Sequence, residues 1–129
     1  MELASLWERY ASAIETELKA ILRGRELSFY HLMEYHLGWR DAQGAPASFP
    51  GGKRLRPALC LLAGEAVGGD WPRALPAAAA IELIHNFSLI HDDIEDQSPQ
   101  RRHRPALWTV AGAAQAINAG DGMQVLARL

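Results

Sequence analysis

The sequence has very little cysteine and no strong excess of either charge, and both shortages exclude classes of protein. Its one cysteine, Cys60, lies among leucines and excludes a disulfide framework or a thiolate zinc site. Such usage is typical of a reducing compartment, and we expect the cytoplasm. The formal net charge of −2 gives no general attraction to nucleic acid or to anionic membranes, so any anion must be bound by a local cluster of cations.

Long apolar runs and targeting signals are also missing. The most apolar stretch, residues 75–90, is interrupted by Glu82, His85 and Asn86, which makes it too short and too polar to span a bilayer. The first three residues lack the basic end and apolar run of a signal peptide. We therefore expect a soluble protein. Its 129 residues, 49% of them apolar, suffice for one domain or part of a larger one.

Strand-like alternation, internal repeats and low-complexity tracts are absent, and the apolar periodicity is helical nearly throughout. The predicted fold class is therefore all-α. Ser28 is a candidate cap for the second helix, which we expect to end near Gly38. The predicted helices cover residues 3–22, about 28–40, 53 or 54 to 67, 73 or 75 to about 96, about 107–111, and about 113 to the chain end.

The most informative feature present is an acidic cluster, Asp92-Asp93-Ile94-Glu95-Asp96, at the end of the fourth predicted helix. Asp92 and Asp96 are one turn apart, about 6 Å along the axis, so their carboxylates can converge on the same ions. Mg²⁺ prefers such oxygen ligands. Like charges at a helix C-terminus oppose stability, which is typical of a functional site. On an ideal helix His85 and Ser88 share the acidic face. The opposite stripe, which we expect to pack, comprises Leu83, Phe87, Ile90 and Ile94.

Two clusters of cations accompany the acids. One is residues 51–57, Gly-Gly-Lys-Arg-Leu-Arg-Pro, and the other is the pair Arg101-Arg102 that follows the acidic cluster. Together the three clusters indicate two bound diphosphates, one of them carrying a divalent metal. From the residues alone an alternative stays open, in which the acids form a solvated helix end neutralised by nearby arginines, with Lys53 and Arg56 as ordinary surface charges.

These motifs, in this order and at this spacing, resemble those of the isoprenyl diphosphate synthases, prenyltransferases that make farnesyl, geranylgeranyl and longer diphosphates. The resemblance covers about residues 51–126. It implies a helical bundle of the isoprenyl synthase fold and a homodimer. The matching parts are Gly-Gly-Lys-x-x-Arg-Pro at 51–57, His85 within Glu-Leu-Ile-His, Asp-Asp-x-x-Asp at 92–96, the arginine pair, Pro105, and Asn-Ala-Gly-Asp at 118–121.

The resemblance also implies a role for each matched residue. Asp92 and Asp96, with Asp93 assisting, would hold Mg²⁺ on an allylic diphosphate that Arg101 also contacts. The side chains implied for isopentenyl diphosphate are Lys53, Arg56, His85 and Arg102. Neutralising the allylic diphosphate lets its C–O bond ionise. The isopentenyl double bond then attacks the cation, and a proton is lost.

Three further expectations follow from the comparison with this family. Phe87 and Ser88 stand at positions that influence product length, and they resemble the geranylgeranyl type. His103 departs from the glycine that commonly follows the arginine pair, which predicts a stiffer or reshaped loop. Residues 1–129 resemble only the N-terminal half of a polyprenyl synthase domain, because the second aspartate-rich motif and a downstream lysine have no counterpart. We therefore expect this chain alone to be inactive or nearly so.

Two other functions account for part of the sequence. A non-catalytic subunit that binds a synthase partner would keep the fold, but it has no need of the acids and arginines. A terpene cyclase shares the acidic motif. It binds no second diphosphate, which leaves Lys53, Arg56 and Arg102 without a purpose.

Overall fold

The computed structural model describes residues 2–129 and confirms the all-α class. No helix within this range is both long and apolar enough to cross a membrane. A 3₁₀ turn at Trp71–Ala74 leads directly into the longest helix. The α-helices are α1 (Leu3–Leu22), α2 (Ser28–Leu37), α3 (Leu55–Ala66), α4 (Leu75–Glu95), α5 (Leu107–Ala111) and α6 (Ala113–Leu126).

One compact unit comprises residues 2–23 and 53–82. It is built around the contact between α1 and α3. The buried side chains of α1 recur at every fourth position, which aligns them along one face of the helix. The core residues that these two helices contribute are Tyr10, Ile14, Leu18, Leu22, Ala58 and Leu61.

A polar cluster borders the core of this first unit. Arg9 donates through Nη2 to both carboxylate oxygens of Glu65, at 3.2 Å, and the Tyr10 hydroxyl donates to the same carboxylate. The Tyr10 ring lies edge-on to Trp71, with ring centroids 5.2 Å apart. Burial raises the pKa of the Tyr10 hydroxyl, and its hydrogen bond to Glu65 raises it further, so the phenol remains a donor.

The second compact unit comprises residues 24–52 and 83–129. Here α6 packs on α2 and α5. A Cβ atom at Gly120 would lie 2.7 Å from His91 Cδ2, and one at Gly122 would overlap Phe29 and Met33. Only glycine permits these approaches. The larger buried side chains of this unit are Met33, Leu37, Leu83, Ile90 and Met123.

The segment that follows α4 is a β-hairpin, and the expectation that this region is a loop without strands was wrong. Strand β1 (Gln100–Arg101) pairs antiparallel with β2 (Arg104–Pro105). The two turn residues, Arg102 and His103, have φ values of +53° and +63°. Positive φ at both positions is typical of a type I′ turn. Strands of two residues carry no alternation that a sequence could reveal.

The cap residue of α2 and the start of α3 differ from the expectation, whereas α2 ends next to Gly38 as predicted. Ser28 is the first residue of α2 and Leu27 occupies the cap position, with no side-chain cap hydrogen bond. The helix ends at Leu37 because Gly38 adopts φ +92° and donates to Glu34 O and Tyr35 O. Helix α3 begins at Leu55, one residue later than the latest predicted start, because Arg54 has φ +52°.

Candidate functional site

The end of α4 presents two exposed carboxylates one turn apart. The Asp96 amide donates to Asp92 O at 2.8 Å, which continues the helical pattern past Glu95. The side chains of Asp92 and Asp96 are exposed, and neither makes a hydrogen bond or ion pair within residues 2–129. In that same range no three His, Cys, Asp or Glu side chains lie close enough together to hold a metal ion.

Asp93, between these two acids in the sequence, is buried and only 3% exposed. Arg101 donates to both of its oxygens, through Nη2 to Oδ1 at 2.6 Å and through Nε to Oδ2 at 3.1 Å. The hydrogen bond to Asp93 raises the pKa of Arg101 above its ordinary value, so the guanidinium stays charged. The family resemblance places Asp93 beside the metal ligands, and in the structure its carboxylate is engaged by Arg101.

Arg102 is held from two sides within the second unit. Its Nη1 donates to His36 O and its Nη2 donates to Asn86 Oδ1, both at 3.2 Å. The backbone of Gly52 lies against the guanidinium, since a Cβ at Gly52 would come within 3.0 Å of Nη2. Two adjacent arginines of one hairpin are therefore fixed by different residues of α4.

These partners belong to a buried polar line on α4 that sequence reasoning missed. Glu82, Asn86 and Asp93 are 2%, 0% and 3% exposed, and spacings of four and seven residues put them on one face of the helix. Each accepts from an arginine, because buried polar groups need partners. Arg54 donates to Glu82 at 2.8 Å, Arg102 donates to Asn86, and Arg101 donates to Asp93. In the sequence, Glu82 and Asn86 stand out as polar interruptions of an apolar run, without any sign of these arginine partners.

Arg104 anchors the hairpin that carries the arginine pair. Its guanidinium lies 4.2 Å from the ring centroid of Tyr35 and 3.9 Å from that of Phe49. It donates to Tyr35 O at 2.9 Å and to Arg40 O at 2.7 Å. The Tyr35 hydroxyl donates to Pro105 O at 2.7 Å, and burial raises its pKa, against the opposing charge of Arg104. The hairpin is thereby fixed to α2 and the loop that follows it.

The remaining α4 candidates occupy two different faces. His85 and Ser88 are partly buried, and the Ser88 hydroxyl donates to His85 O at 2.6 Å. Phe87 lies on the packing side, edge-on to His91 with ring centroids 4.7 Å apart, next to Gly120. The ring of Phe87 is therefore held by α6, on a different side of α4 from Ser88.

Lys53 and Arg56 flank the start of α3. Both side chains are exposed, and both belong to the first compact unit, whereas the arginine pair and the acids belong to the second. Between them lies Arg54, which is buried and donates to Glu82 and Glu15. Of the three cations in this segment, Arg54 therefore has a structural role. The assignment of Lys53 and Arg56 to isopentenyl diphosphate stays a prediction.

Comparison with known proteins identifies relatives along most of the chain. The farnesyl diphosphate synthase of Mycobacterium tuberculosis (strain ATCC 25618 / H37Rv) is 50% identical over 96 residues, which cover 74% of this chain and 27% of that protein. The geranylgeranyl diphosphate synthase of Methanosarcina mazei is 59% identical over 71 residues, which cover 55% of this chain and 22% of the relative.

Solved structures give the same result for the fold. The polyprenyl synthetase of Streptomyces coelicolor A3(2) superposes with a TM-score of 0.91 at 44% identity, over 98% of this chain and 37% of that one. The geranylgeranyl pyrophosphate synthetase of Geoglobus acetivorans gives a TM-score of 0.81 at 35% identity, over 95% and 37% of the two chains. The isoprenyl synthase fold is confirmed, and the chain spans well under half the length of these relatives. The profile of the polyprenyl synthetase family matches residues 43–128, and the chain belongs to that family.

Proposed function

We propose that this chain serves the Mg²⁺-dependent, head-to-tail condensation of an allylic diphosphate with isopentenyl diphosphate, which gives a longer isoprenyl diphosphate. One observation carries the proposal. Two exposed carboxylates, Asp92 and Asp96, lie one turn apart on the same helix whose buried residues hold the charged pair Arg101-Arg102. Two carboxylates can ligate a metal ion, and two fixed guanidiniums can donate hydrogen bonds to phosphate oxygens. Together they suit the binding of a diphosphate that carries a metal.

Asp92 and Asp96 are the proposed metal ligands. Both are carboxylates and both are exposed, and the nearby charge of Arg101 interacts favourably with both. Mg²⁺ takes one or two carboxylates and completes its octahedron with water and phosphate oxygens, so a pair of acids fits it. A divalent metal held there would neutralise negative charge on the allylic diphosphate. The chain's own part is to keep the two carboxylates at one helical turn.

Arg101 is the proposed second contact to the allylic diphosphate. Its bidentate pairing with Asp93 fixes the plane of the guanidinium before substrate arrives, and its raised pKa keeps it charged. A preorganised cation aimed at the leaving group lowers the barrier to ionisation of the C–O bond without reorganising during the reaction. We therefore propose that Asp93 assists the metal site by holding Arg101.

Arg102 is the centre of the proposed isopentenyl diphosphate site. The family resemblance adds three side chains to it, Lys53, Arg56 and His85. Guanidiniums and lysines are the groups that proteins use to hold diphosphates. Anchoring this second substrate keeps its double bond next to the allylic carbon, which turns the attack into an intramolecular event.

The proposal also covers product length and assembly. Phe87 and the small Ser88 are assigned to the control of product length, with a geranylgeranyl-type product. A homodimer and a cytoplasmic location belong to the same proposal, on the strength of the family resemblance.

A non-catalytic subunit is the second candidate, and one observation favours it. Leu55 and Leu59, one turn apart on α3, are 48% and 50% exposed. Exposed apolar side chains at helical spacing fit a surface that binds another protein. A subunit of this kind has no need to bind metal and diphosphate together, which separates the two candidates.

Thermal unfolding with Mg²⁺ and inorganic diphosphate tests the proposed function. Ligand at about 100 times its dissociation constant stabilises a protein by roughly 2.7 kcal/mol. We expect the melting temperature to rise by several degrees with both ligands together and to fall back when EDTA removes the metal. Prenyl-transfer assays with labelled isopentenyl diphosphate accompany it, and we expect little turnover by this chain alone. Identical melting curves with and without the two ligands would favour the non-catalytic subunit.

A further inference from the structure

Asn86 is completely buried in α4, and the proposed reaction gives it no task. Its amide oxygen lies 3.2 Å from Arg102 Nη2 and 2.9 Å from His36 Nε2. A buried amide in the middle of a helix is costly unless its polar atoms are satisfied. Its presence here calls for an explanation in terms of these two partners.

The chemistry of the partners fixes the hydrogens in this group. A guanidinium can only donate, so the Asn86 atom that faces Arg102 must be the carbonyl oxygen, Oδ1. The same oxygen faces His36 Nε2, which must therefore carry a hydrogen and donate as well. Oδ1 uses both lone pairs, one for each donor. The amide thus cannot rotate without losing two bonds, and His36 locks its orientation.

The Arg102 guanidinium is held at further points. Nη1 donates to His36 O at 3.2 Å, so His36 contributes through its backbone as well as its ring. The Gly52 backbone lies against the guanidinium plane: a Cβ there would meet Nη2, Cζ and Nε at 3.0 to 3.2 Å. Gly52 has φ +101°, a conformation that other residues rarely adopt. Asn86, His36 and Gly52 together define one orientation of Arg102.

We propose that Asn86, supported by His36, is a positioning residue that holds the Arg102 guanidinium ready for a diphosphate. The inference rests on the proposed function, because it takes Arg102 to be a diphosphate-binding side chain. An arginine that is already ordered loses less conformational freedom when the anion arrives, and this saving appears as affinity. Asn86 itself touches no substrate in this account and acts through Arg102.

Titration calorimetry with inorganic diphosphate tests the proposal on the whole chain. EDTA is included so that the metal-dependent site at Asp92 contributes nothing. We expect Arg102→Ala to weaken binding at least about tenfold, and Asn86→Leu, which keeps the branching at Cγ but removes the hydrogen-bonding atoms, to weaken it about 2- to 10-fold. In the Arg102→Ala background, Asn86→Leu has no further effect. Gln115→Leu, which also replaces an amide side chain by leucine but at an exposed position of α6, is the control and leaves binding unchanged.

Each contrary outcome has a distinct meaning. If Asn86→Leu binds diphosphate as tightly as the unmodified chain, or weakens binding equally with and without Arg102, the positioning role is wrong. If Arg102→Ala binds normally, or the unmodified chain binds no diphosphate, the assignment of Arg102 in the proposed function fails, and this proposal fails with it.

A measurement on the unmodified protein covers the case in which Asn86→Leu does not fold. In NMR spectra of the guanidinium groups, taken without any anion, a held arginine shows hindered rotation and separate Nη signals. We expect this of Arg102 and not of the exposed Arg128. Equal, rapid rotation of the two side chains would show that nothing positions Arg102.

Discussion

Arg101 holds both oxygens of Asp93, at 2.6 and 3.1 Å, although only Asp93 is buried: the side chain of Asp93 is 4% exposed and that of Arg101 is 31% exposed. The two halves of this ion pair should therefore differ in what their removal costs. Arg101→Ala leaves a carboxylate buried without its cation, at a cost of about 3 kcal/mol. Asp93→Ala leaves a guanidinium that water can reach, at a cost of about 1–2 kcal/mol. Urea unfolding of both variants measures the difference. Equal losses would contradict this reading of the pair.

The hairpin turn offers a substitution that stabilises the protein. His103 has φ +63°, which a Cβ atom disfavours and glycine does not. We expect His103→Gly to raise the free energy of unfolding by about 0.5–1 kcal/mol. His103→Ala is the control, because it removes the imidazole and keeps the Cβ, and it should give no such gain. A gain of the same size in both variants would mean that the side chain, and not the backbone, is responsible.

The buried phenol of Tyr10 predicts a loss of stability in alkali. Its pKa in the folded protein lies above the ordinary value of 10.0, first because of burial and then because of its bond to Glu65. The folded state thus favours the protonated phenol. The stability that the protonated phenol contributes is fully present below about pH 10, which is its pKa in the unfolded chain. That stability is lost as the pH rises through the higher pKa of the folded protein. Between pH 9 and about pH 11, the melting temperature of the unmodified chain should fall more than that of Tyr10→Phe. Parallel curves would contradict the prediction.

Gly120 controls how closely α6 approaches α4. A Cβ there would lie 2.7–2.8 Å from the His91 ring, so Gly120→Ala should cost about 1–3 kcal/mol of stability. His91→Ala removes the obstacle, and in that background the same substitution should cost much less. Gly64→Ala is the matched control, because its Cβ would meet only Ala74, at an ordinary 3.7 Å, and helix propensity favours alanine. Chemical denaturation of the four variants gives the comparison, and additive effects of Gly120→Ala and His91→Ala would refute the contact.

The positions of the helices could be predicted from the sequence because their apolar residues repeat over many turns. The range predicted for α1 is the observed one, and α5 begins and ends as expected. The hairpin could not be predicted, since its pairing involves only residues 100, 101, 104 and 105. The sequence shows that His103 departs from the family pattern, but it does not show that His103 has a positive φ. That φ results from the two-residue turn between the paired strands.

The buried polar line on α4 shows why part of the site escaped the sequence. Spacing alone placed Asp92 and Asp96 on one face and Leu83 and Ile90 on another, and the second pair is indeed buried. Spacing cannot tell that Asn86 is buried, because that depends on partners supplied by distant segments. His36 carried no signal in the sequence. Its ring nevertheless meets Asn86, 50 positions away in the chain.

The central claim is that Asp92 and Asp96 bind a divalent metal together with a diphosphate. Replacing Mg²⁺ by paramagnetic Mn²⁺ locates such a metal directly, because it broadens the NMR signals of nearby backbone amides. With inorganic diphosphate present, we predict broadening centred on residues 92–96 that disappears in the double variant Asp92→Asn, Asp96→Asn. Broadening that is absent, centred elsewhere in the chain, or unchanged in the double variant would contradict the account.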